Sequence, residues 1–202
     1  MKTLPQYLID KFLDTLSGDI SINEFEQWIY NDKKIANILS LEDYLDLISL
    51  NYQKSGAKYE LDILLKKHVG ASCYETHKML KLLYEAELKT HKLPDILRDF
   101  YDLYCKEYNF LMDLGIGYGL KVEVPPNGDT NTGTWEDLSP SQQKELLDSF
   151  SPGLEKEINQ VINWLIAGKI VLTGEHDEME HWRYNDFRSE EEKKSKIWRA
   201  MD

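Results

Sequence analysis

From Leu4 to Leu111, apolar side chains return every three or four residues, with short polar breaks between the runs. That period sets them on one side of successive α-helices. Leu4, Leu8, Phe12 and Leu16 form the first stripe, and Ser17-Gly18-Asp19 ends it. Ser21-Ile-Asn-Glu24 has the capping-box pattern, in which the Ser hydroxyl accepts a backbone N–H three residues on and the Glu reaches back. It opens a helix with Ile22, Phe25, Trp28 and Ile29 on one face. Ser40-Leu41 starts another, with Leu41, Tyr44, Leu45 and Ile48 inward. Leu61, Leu64 and Leu65 mark the next, which Gly70 ends. Ser72 or Cys73 opens a longer helix holding Met79, Leu80, Leu83 and Ala86. Pro94 suits the first turn of a helix carrying Leu97, Phe100, Tyr104, Tyr108 and Leu111.

The pattern changes at Leu114-Gly-Ile-Gly-Tyr-Gly119. Each glycine costs a helix about 1 kcal/mol relative to alanine, so a helix exit with positive φ is expected here. Leu120-Lys-Val-Glu-Val124 alternates as a half-buried strand does. Lys169-Ile-Val-Leu-Thr173 reads as a second short strand, and the two are expected to pair. Ser139-Pro140 and Ser151-Pro152 each read as a helix cap followed by proline at the first helical position. The second of these helices has Leu154, Ile158, Val161, Ile162 and Leu165 in one stripe, ended by Gly168. Residues 174–188 read as irregular and 189–199 as a charged terminal helix. The fold class that follows is mainly α: a helical, bundle-like domain with a small two-stranded β element in its C-terminal half. Residues 1–202 are expected to form a single domain, helical over 1–114 and mixed α/β over 115–202.

A chain of 202 residues needs no disulfide or structural metal to build a core. Its 42% hydrophobic and 30% charged residues describe a globular protein. No apolar run approaches the ~20 residues of a membrane span, and the first residues carry neither a secretory nor a lipidation pattern. Low cysteine use agrees with a cytoplasmic location. A net charge of −12 argues against binding a nucleic-acid backbone.

Chemical motifs are weak. Gly115-Ile-Gly-Tyr-Gly119 looks like a phosphate loop, but such loops follow a strand and open a helix, and here that order is reversed. Cys73, with His77 four residues on, is a nucleophile candidate only if a helix N-terminus lowers its pKa; Cys73 and Cys105 read as buried structural thiols. Glu175-His-Asp-Glu-Met-Glu-His181 offers His176, Asp177 and His181 to a divalent ion. Its spacing departs from the His-Glu-x-x-His of zinc hydrolases. No catalytic residue, cofactor or metal site is assigned from the sequence. The rival to that reading is a metal-dependent enzyme using this histidine-rich segment.

Charge and aromatics carry more. Residues 115–202 hold 17 acids and 10 bases, against 19 and 14 in residues 1–114. The acids concentrate between Glu123 and Glu157 and between Glu175 and Glu192, with eight in each stretch. Trp135, Trp182, Tyr184, Phe187 and Trp198 lie in the same regions, off any periodic stripe. Aromatic anchors inside a charged rim are the composition of a protein-binding surface. The expected partner-binding residues are Asp129, Trp135, Glu136, Asp137, Asp177, Glu178, Glu180 and Trp182. A second rival is a non-enzymatic adaptor that binds through an exposed apolar patch on residues 22–52.

The segment Phe12-Leu-Asp-Thr-Leu-Ser-Gly-Asp-Ile-Ser-Ile-Asn-Glu-Phe-Glu-Gln-Trp-Ile-Tyr30, followed by Tyr44-Leu-Asp-Leu-Ile-Ser-Leu-Asn-Tyr52, resembles the small acidic immunity proteins of bacterial polymorphic-toxin systems. The likeness covers about a quarter of the chain. It implies binding and neutralisation of a cognate protein toxin by occlusion of its active site. It implies no site residue, because the shared residues are helix caps and core positions. Where the toxin is a basic nuclease, carboxylates would take the places of substrate phosphates.

Overall fold

A computed structural model describes residues 4–126 and 133–194. Among the described residues the protein is mainly helical, at 66%, with one two-stranded antiparallel sheet near the C-terminal end. The chain divides into two compact units, Met1–His77 and Lys78–Asp202.

The first unit contains α1 (Gln6–Leu16), α2 (Ile22–Asn31), α3 (Ile35–Ile38), α4 (Leu41–Ser49), α5 (Ala57–Val69) and the start of α6 (Ala71–Glu87). The starts of α2 and α4 follow from their caps. Ser21 Oγ accepts the Glu24 N–H while the Glu24 carboxylate accepts the Ser21 N–H. Ser40 Oγ accepts the Asp43 N–H in the same way. Leu8 and Phe12 of α1, Phe25 and Ile29 of α2, Leu47 of α4, and Leu61 and Leu65 of α5 are fully buried together. On α4 this corrects the expected inward stripe: Leu47 is the buried residue, while Leu41 and Leu45 are 73% and 47% exposed. Each such side chain contributes about 1.5–3 kcal/mol by leaving water. Phe12 is the hub, with its ring 6.1 Å from Phe25, 6.4 Å from Trp28 and 5.8 Å from His68.

The second unit has its own core, running from Met79 and Leu83 of α6 to Leu172. After α6 come α7 (Leu93–Cys105), α8 (Met112–Leu114), a π-helical turn at Gly115–Gly119, α9 (Leu120–Glu123), α10 (Pro140–Ser149) and α11 (Gly153–Ile166). Then follow β1 (Ile170–His176), β2 (Trp182–Asp186) and α12 (Glu190–Lys193). Among the described residues, no helix is long and apolar enough to cross a membrane.

Five expectations change here. α7 ends at Cys105, so Tyr108 and Leu111, expected on that helix, follow it and still enter the core. Gly115–Gly119 does not end a helix: Gly115 and Gly119 have φ of −66° and −60°. The two glycines let this segment lie directly on α7. A Cβ on Gly119 would stand 2.3 Å from the Leu97 carbonyl oxygen, and one on Gly115 would stand 2.9 Å from Tyr104 Cβ. Leu120–Glu123 is therefore helix rather than strand, because five alternating residues are too few to outweigh that packing. Its anticipated partner pairs elsewhere. β1 takes Trp182–Asp186, inside the stretch read as irregular, with Ile170 opposite Asp186 and Leu172 opposite Tyr184. An irregularity follows, so that His176 is the next residue of β1 in register, opposite Trp182. Trp182 and Tyr184 are half-buried while Arg183 and Asn185 are exposed, which is the period-two signal of a one-sided strand. Finally, α11 begins at Gly153, after a cis Ser151–Pro152 bond, so Ser151 is not its cap. Of the terminal helix, Glu190–Lys193 is present, and residues 195–202 lie outside the described residues.

Candidate interaction surface

The acidic surface of the second unit is organised by α7. Asp95, Arg98, Asp99, Asp102 and Lys106 recur at helical spacing and share the side of α7 opposite its buried Leu97 and Phe100. Glu123, Glu136 and Glu180 gather on its two bases. Arg98 lies 2.9 Å from Glu136, 3.5 Å from Glu123 and 3.4 Å from Asp95. Lys106 lies 3.7 Å from Glu180, and its carbonyl accepts the Trp182 N–H at 2.9 Å. Arg98 and Lys106 stand about 12 Å apart along the helix axis at 1.5 Å per residue.

Carboxylates outnumber bases on this ridge, and they crowd one another. Partial burial, then Asp102 and Asp95, push the Asp99 carboxyl above its ordinary range. The opposite holds for Glu136, which the Arg98 guanidinium keeps below the usual range. Tyr101 on the same helix is raised by Cys105, and by Glu123 and Asp102 as well. A ridge of like charges held on a rigid helix is costly to the fold and favourable to a cationic partner.

The expected residues fall into three groups. Glu136, Glu178 and Glu180 are exposed acids. Asp137 and Asp177 have local work. Asp137 accepts the Thr134 N–H and hydroxyl at 2.7 and 2.9 Å. Asp177 closes the β1–β2 turn by accepting the N–H groups of Met179 and His181 at 2.8 and 3.0 Å. Trp135 and Trp182 are half-buried against their unit's own core. The Trp182 ring stacks on Tyr108 at 5.9 Å, within a cluster that continues through Phe110 to Tyr184. Asp129 and Trp198 lie outside the described residues. Glu178, Met179 and Glu180 form the hairpin tip, with Met179 75% exposed.

Sequence reasoning does not single out Asp95, Asp99 and Asp102, and it counts Glu123 only among the acids of its stretch. The signal for the first three was present: they alternate with Ile96, Leu97 and Phe100 at helical spacing, so the buried stripe also defines the exposed one.

Among the described residues, His176, Asp177 and His181 do not bring three potential ligand atoms together. His176 sets its Nδ1 3.0 Å from the Asp177 carbonyl and its ring against Trp182 at 5.4 Å. His181 Nδ1 lies 3.2 Å from Asp177 Oδ2. Cys73 and Cys105, expected to be buried, are both exposed. The Cys73 thiol is pushed up by desolvation and by Asp10, the opposite of what a nucleophile needs.

No family model matches this sequence, and no curated protein or solved structure is similar to it.

Proposed function

We propose that this protein is an immunity protein: it binds a cognate basic toxin in the cytoplasm and occludes the toxin's active site without catalysing a reaction. The observation that carries the reading is the α7 ridge. There Asp95, Asp99 and Asp102 crowd together, while Glu123 and Glu136 share one guanidinium. A basic partner relieves that repulsion and gains charge-assisted hydrogen bonds on docking. Met179 at the hairpin tip offers an adaptable apolar contact beside Glu178 and Glu180.

The test is co-expression with the product of the adjacent reading frame. This reading expects protection from toxicity and a stoichiometric complex. It also expects the triple variant Asp95→Lys, Asp99→Lys, Asp102→Lys to lose at least tenfold in affinity. Undiminished affinity of a folded triple variant contradicts the assignment of the surface.

A second reading is supported by Tyr30, Leu41 and Leu45 of the first unit, which are 52%, 73% and 47% exposed. Apolar side chains gathered on α2 and α4 suit an adaptor. Leu41→Glu with Leu45→Glu separates the two: loss of partner binding supports the adaptor, and retention supports the acidic ridge.

A further inference from the structure

We propose that the first unit carries a site for a divalent transition-metal cation, built from Asp14, Asp19 and His77. One ligand atom from each of these side chains lies within 4.8 Å of the others. Among the described residues, this is where three potential ligands come together.

The local sequence explains the convergence. Asp14 sits in the last turn of α1. Gly18 has φ +79° and turns the chain back on that helix. The Gly18 N–H donates to the Thr15 carbonyl at 3.2 Å and the Asp19 N–H to the Asp14 carbonyl at 2.9 Å, which is the Schellman arrangement. The turn therefore returns Asp19 to Asp14. α6 brings the third ligand. Its Cys73 faces Asp10, and His77, one turn further on, faces Asp14.

The second and independent observation is His77 itself. Its Nε2 is buried from solvent and has no hydrogen-bond partner. A buried ring nitrogen left without a partner is costly to the fold, and a cation is one group that satisfies it. Each carboxylate offers one oxygen and keeps the other. Zinc–ligand bonds of about 2.0–2.2 Å in a tetrahedron place ligand atoms roughly 3.3 Å apart, so small side-chain rotations close the set. One imidazole with two carboxylates favours Zn²⁺ or Mn²⁺ over Mg²⁺ and Ca²⁺, which prefer all-oxygen shells. Three protein ligands leave further positions to water. Bound there, the ion would tie the end of α1 to α6.

The experiment is calorimetric titration of the untagged full chain with Zn²⁺, Mn²⁺, Mg²⁺ and Ca²⁺, followed by thermal unfolding with and without each ion. The expected result is one equivalent of Zn²⁺ or Mn²⁺ per chain, with a raised Tm. His77→Ala and, separately, Asp14→Asn should each weaken binding at least tenfold, with circular dichroism unchanged. His181→Ala, which alters the hairpin segment, should leave binding intact. No binding by the wild type, binding that survives both site variants, or binding lost in His181→Ala would overturn the proposal.

Discussion

Gly119 and Gly18 are both glycines for steric reasons, but the reasons differ. At Gly119 a Cβ would lie 2.3 Å from the Leu97 carbonyl oxygen, so α7 and the π-turn would have to separate. Gly119→Ala is expected to cost about 1–3 kcal/mol, read as a fall in the urea midpoint. Gly18 has φ +79° and open space around it, so Gly18→Ala should cost only about 1 kcal/mol, from backbone strain. Equal costs at the two sites would contradict the close helix approach. Glu192 makes a pH-dependent contribution. Lys169, with the Ser189 N–H and hydroxyl, holds its carboxyl down at about 2 against an ordinary 4.5. A depressed native pKa adds stability that is complete above the unfolded value and lost as pH falls through the folded one. Glu192→Gln should therefore flatten the stability curve between about pH 4.5 and 2, as followed by thermal melts. A curve unchanged from wild type would remove Glu192 from the account.

Helices were legible where a cap and an apolar stripe coincided, as at Ser21 and Pro94; at Ser40 the cap marks the start of α4, but Leu41 and Leu45 of the expected stripe are exposed. The α2 cap offers a direct check. Ser21→Ala removes the hydroxyl that accepts the Glu24 N–H and should cost about 1 kcal/mol in denaturant unfolding. No change would mean that the helix starts for another reason. Leu120–Glu123 was misread because a five-residue alternation fits either state, and a tertiary contact decided it. The β2 strand was missed for a related reason. In the sequence Trp182 and Tyr184 look like surface anchors, although their alternation with Arg183 and Asn185 is already a strand pattern. Of the candidate site, the abundance of acid was legible and its organiser was not. That α7 would gather Glu123, Glu136 and Glu180 around Arg98 and Lys106 depends on contacts distant in sequence.

The whole molecule comprises two units with separate cores, and they differ in what they offer. The first presents exposed apolar side chains on α2 and α4 and the three potential ligands at the end of α1. The second carries the denser negative charge, ordered along α7. Trp135 and Trp182, expected as surface anchors, are not free rings, since both pack on the core of the second unit. A charged surface acts mainly on the rate of encounter, and its effect falls as salt screens it. The most direct measurement is the stopped-flow association rate with the product of the adjacent reading frame, at low and at high ionic strength, for wild type and for Asp95→Asn, Asp99→Asn, Asp102→Asn. The account predicts a wild-type rate that drops by about tenfold or more with salt, and a slower, nearly salt-independent rate for the variant. A wild-type rate indifferent to salt, or a variant as fast and as salt-sensitive as wild type, would contradict it.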